Sequence, residues 1–166
     1  MEPEDAAAAR SGPSEEDLRQ LGRIATELAD AIDRALGPWV VRVVDRVHRE
    51  RLLRAPSVEV RAAAEQAGAE AVAVVGAQVR ALLALDIDEQ RTGPLALLRA
   101  AVPYPTRVLR EAGVPERPRD EFLEQRFPED VYDLAPASFA DLDPALHEPG
   151  LIWGAAKAHV HLARRR

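Results

Sequence analysis

Apolar positions recur three and four apart through "SEEDLRQLGRIATELADAIDRALGP", where Leu18, Leu21, Ile24, Ala25, Leu28, Ile32 and Leu36 share one side at about 100° per residue. Arg23, Glu27, Asp30, Asp33 and Arg34 take the other side. Ser14 caps the run, the acids after it suit the positive end of a helix, and Gly37-Pro38 predicts its stop. The next stretch, "WVVRVVDRVHRERLLR", does not alternate with period two. It reads as a second helix, with Trp39, Val40, Val43, Val44 and Val47 inward, an outer stripe of Arg42, Arg46 and Arg49, and His48 at the border.

Ser57 caps a third helix, "SVEVRAAAEQAGAEAVAVVGAQVRALLAL", whose small residues run almost all the way round, as expected of a central rod. Gly68 and Gly76 stand in its interior, where each costs about 1 kcal/mol against alanine, so a close backbone approach is expected to use them. Glu65, Glu70, Gln78 and Arg80 interrupt the run and argue against a membrane span.

Nine of the 13 prolines lie between positions 94 and 149 and exclude long helices there. Short turns remain: "PLALLRAA", "PTRVLREAG", "RDEFLEQRF", "SFADLD" with Ser138 and Asp141 as a capping box, and "DPALHE" with Asp143 as cap. Tyr104, Phe122, Phe127, Tyr132 and Phe139 all fall in this stretch, which predicts a folded strap laid over the bundle. From Pro149 a last helix runs to about Ala163. Its expected buried arc is Leu151, Ile152, Ala155, Ala156, His159, Val160 and Leu162, with Trp153 at one edge.

The pattern therefore predicts an all-α protein: a four-helix bundle with a proline-rich, short-helix strap (94–148) between the third and fourth long helices. Residues 14–166 form one domain behind a disordered acidic tail (1–13). Composition agrees, because 166 residues at 47% hydrophobic support a core and 4% aromatics leave burial to aliphatic side chains. With no cysteine there are no disulfides, thiolate sites or thiol nucleophiles. The first residues, "MEPEDAAAARSGP", lack the basic start and apolar run of an export signal, and the expected location is cytoplasmic. A net charge of −6 argues against nucleic acid or anionic lipid as a partner of the whole chain. That charge is segregated: residues 111–148 hold eleven acids against three arginines, while the second helix is basic.

Candidate chemistry is sparse. His159 and His161 lie about 200° apart around a helix and cannot hold one ion together. A site needs His159 to meet His48 with Asp45 one turn before it, but the paired glutamates of carboxylate-bridged bundles are not matched. No nucleophile elbow and no phosphate loop in a strand-helix setting occurs, so no catalytic residue, metal or cofactor is assigned. Two functions remain. One is a non-enzymatic module acting by protein contact or as a homodimer through Gly68 and Gly76, with Arg42, Arg46 and Arg49 as a second contact stripe. The other is a small-molecule binder or enzyme with a pocket between bundle and strap, lined by His48, Asp45, Tyr104, Tyr132, Trp153 and His159.

The block "AVPYPTRVLREAGVP...FPEDVYDLAPASFADLDP...HEPGLIWGAAKAHVHLARR", residues 100–165, resembles a set of helical proteins from GC-rich actinobacterial genomes. The resemblance implies no activity, substrate or site residue. It implies that strap and last helix form one unit.

Overall fold

In the computed structural model, which describes residues 12–118 and 127–166, every regular element is helical and no strand occurs among the described residues. The protein is all-α. The phenylalanine at 122 and the rest of the 119–126 stretch lie outside the described residues, as do residues 1–11 of the expected tail.

The first two expected helices are one. α1 runs Glu15–Leu52 straight through Gly37-Pro38, capped by Ser14, whose hydroxyl accepts from the Asp17 N–H at 3.1 Å. Proline removes one backbone hydrogen bond and crowds the carbonyl four residues back, which predicts a break. Here Pro38 and Arg34 both lie on the exposed side of the helix, away from the core. The buried positions Ile32, Ala35, Leu36, Trp39, Val40, Val43 and Val44 keep one unbroken phase across the proline. Continuous burial on one face outweighs the local stop.

α2 (Val58–Ala71) starts at the Ser57 cap and continues through a π-helical turn, Val72–Gly76, into α3 (Ala77–Ala84). A side chain at Gly68 would stand 2.8 Å from the Gly37 carbonyl oxygen, and one at Gly76 would stand 2.5 Å from Asp33 Oδ1. The small residues thus seat this rod against α1, where Arg80 also donates to Asp30 at 2.7 Å and Asp33 at 2.5 Å. The central rod is α1, which touches every other major helix, rather than the small-residue helix. Val58–Ala84 is, by length and composition alone, long and apolar enough to cross a membrane, despite the charges expected to interrupt it. In the fold its Ala64, Ala67, Ala71, Val75 and Val79 are buried in the core.

The stretch after Pro94 begins with the short helices that its prolines suggest. α4 (Pro94–Leu98), a 3-10 turn (Arg99–Ala101) and α5 (Pro103–Glu111) follow one another, and α5 packs on both α1 and α2. α4 and α5 each open on a proline, where the missing N–H has no partner to lose. Leu98, Ala101, Thr106 and Leu109 are buried, and Thr106 Oγ1 donates to the Val102 carbonyl at 2.8 Å. Ser138 opens α6 (Phe139–Leu142) with its N–H on Asp141 Oδ2 at 2.8 Å, and Asp143 caps the next turn by accepting from the Ala145 N–H at 2.9 Å. α7 (His147–Arg165) closes the fold, starting two residues before Pro149.

Candidate functional site

The expected pocket residues do not gather. His48 is buried on α1, and its Nδ1 lies 3.0 Å from the Arg54 carbonyl, a bond that ties the helix end to the following loop. Asp45 points elsewhere, to Arg49 Nε at 2.7 Å, and edges a cleft of about 590 Å³ shared with Trp39, Arg42, Arg61 and Asp141. Tyr132 is buried against Val114, whose carbonyl accepts from its hydroxyl at 2.7 Å; burial pushes its phenol pKa up. Tyr104 is half-buried, with the Arg107 guanidinium 6.0 Å from its ring centre. Among the described residues no three His, Cys, Asp or Glu side chains stand together as a metal site.

The proposed contact residues are also differently employed. Gly68 and Gly76 meet Gly37 and Asp33 of the same chain, so they offer no outer face for a second copy. Arg42 donates to the Leu142 carbonyl and fastens α6 to α1, and Arg49 is engaged by Asp45. Arg42 thus links two elements, while the Arg49–Asp45 pair lies along one exposed face of α1.

The last helix departs most from expectation. His159 is exposed, 4.0 Å from Asp17 Oδ1, and does not face inward toward His48. The buried side of α7 is carried by Gly150, Trp153 and Val160. Gly150 is pressed on the Phe139 ring, so close that an added side chain would fall 2.5 Å from Cδ2. Lys157 Nζ donates to Gln90 Oε1 at 3.0 Å and lies 5.0 Å from the centre of the Trp153 ring. In the last turn, Arg164 binds both Asp86 and Asp88, at 2.9 Å for its Nη2 to Asp86 Oδ2. The Arg164 guanidinium, helped by the Asp88 N–H, holds the Asp86 carboxyl down at about 2. These anchors turn the helix by roughly a third of a revolution from the orientation that its apolar arc suggests, and Val160 stays buried in both.

The consequence is an outward apolar seam. Leu151 (62% exposed), Ala155, Ala158 and Leu162 (58%) are exposed at spacings of four, three and four, with Ile152 (48%) and His159 along one border. That spacing is the a/d seam by which one helix fits between the side chains of another. Glu148 stands at one end of the seam and Arg165 at the other, both exposed.

A second feature is a cleft of about 570 Å³ between the first third of α1, the 85–90 loop and α7. Leu21, Ala25, Leu83, Ile87 and Trp153 form its apolar wall, and Arg80, Arg164 and Asp86 stand among its lining residues. Of the six expected ligand residues, only Trp153 lines it. No protein-family model, curated protein or solved structure matches the chain.

Proposed function

We propose that the protein is a non-enzymatic, cytoplasmic helical module that acts by protein contact. The observation that carries this reading is the outward seam of α7: two leucines and two alanines at coiled-coil spacing, kept in water by a helix whose opposite face is fastened to the fold. The lack of cysteine fits a reducing compartment. In the same reading, residues 94–148 act as a strap over the long helices. Support comes from Arg42 on Leu142 and from the buried Leu134, Leu142 and Leu146, while the Tyr132 hydroxyl on Val114 ties the strap to itself.

A second reading takes the cleft beside Trp153 as a small-molecule site, favoured by its apolar wall and two arginines. One experiment separates the two. Native mass spectrometry of the purified chain is expected to show protein assemblies, either of this chain or with a co-purifying protein. A monomer carrying a small organic adduct supports the cleft, and a bare monomer at every concentration contradicts the contact reading.

A further inference from the structure

We propose that the partner of the α7 seam is a second copy of the same chain, with the two α7 helices running antiparallel. This rests on the protein-contact reading and names its occupant. The argument is one of self-complementarity. In an antiparallel pair related by a two-fold axis through the middle of the seam, Leu151 faces Leu162 of the second copy and Ala155 faces its Ala158. The two large side chains sit at the ends and the two small ones at the centre. Alanines at the centre let the helix backbones approach there, while the leucines close the ends.

The same register brings Glu148 opposite Arg165 of the second copy. Symmetry repeats the pair, so opposite charges meet at both ends of the seam, in the sense that also suits the two helix dipoles. A parallel pair has no such match, because it puts Glu148 beside Glu148 and Arg165 beside Arg165. The other basic residue of the last turn, Arg164, is held by Asp86 and Asp88 of its own chain and does not compete. His147, Glu148, Gly154 and Ala158 are all exposed, so nothing in the described fold stands on the outer side of the helix. With only about two heptads in contact, the interface is at the small end of specific interfaces, below about 1,200 Å², and the pair is a reversible one.

Sedimentation equilibrium of the full chain, up to several hundred micromolar, tests this. The mass is expected to rise with concentration from one chain toward two. Leu151→Lys keeps the chain at one mass throughout, with an unchanged helical circular dichroism spectrum. Glu148→Arg and Arg165→Glu each weaken association by about tenfold at low salt, since each loses two exposed pairs and gains like charges. The double exchange restores wild-type association. A dimer that ignores Leu151→Lys overturns the inference and leaves the contact reading standing on another surface. A dimer weakened by both single exchanges and weakened further by the double one overturns the antiparallel register. A single-chain mass throughout, with no co-purifying protein, overturns both.

Discussion

Replacing Gly68 by valine lowers the stability of the fold by about 3 kcal/mol, read as a fall in the urea midpoint at unchanged slope. Helix propensity alone points the other way, because a residue other than glycine in a helix interior gains up to about 1 kcal/mol. The close approach decides the sign. A Cβ at position 68 would lie 2.8 Å from the Gly37 carbonyl oxygen and 3.1 Å from the Gly37 Cα. Both are backbone atoms in the middle of a 38-residue helix, and neither swings aside as the end of a side chain does. The two rods must separate, and the packing of Val72 and Ala71 against α1 goes with them. Gly22 supplies the control: it lies on the same helix, is exposed, and has nothing within 4 Å of an added Cβ. Gly22→Ala therefore stabilises by up to about 1 kcal/mol. A Gly68→Val protein as stable as the parent contradicts the close contact.

Pro38→Ala stabilises the protein, by about 1–3 kcal/mol. Pro38 is exposed, so its ring contributes no burial that alanine fails to match. Alanine supplies the N–H that the Arg34 carbonyl lacks and relieves the crowding between the ring and that carbonyl. The buried residues on either side, Leu36 and Val40, are already in phase and need no repacking. Thermal denaturation reads the result as a higher midpoint. A lower midpoint contradicts it, and shows that α1 needs a bend at this point to bring Gly37 against Gly68.

Helical content, the Ser14, Ser57, Ser138 and Asp143 caps and most of the core of α1 were legible in the sequence, because each depends on neighbours within one or two turns. The Gly37-Pro38 break does not occur, because the apolar frame that continues in step from Ile32 to Val44 outweighs the local turn residues. The orientation of α7 was not legible from its own residues. Leu151, Ile152 and Leu162 form an apolar arc as good as the one that is buried. The choice between the arcs rests on Trp153 and on the bonds of Lys157 to Gln90 and Arg164 to Asp86, all separated by more than sixty positions in the chain. The same choice sends His159 into water and removes it from any site with His48. What local periodicity offered as core is the surface on which the functional reading now stands.

The central claim is that this surface joins two copies with their last helices antiparallel. Because the chain has no cysteine, a single nitroxide can be placed on His147→Cys, at the outer end of the seam and off the Leu151–Leu162 stripe. At about 1.5 Å per residue along the helix, two such labels stand about 30 Å apart in the proposed pair. Pulsed dipolar spectroscopy at high protein concentration is expected to find that separation. A separation of about 10 Å, the spacing of parallel neighbours, or no coupling between labels at all, contradicts the account.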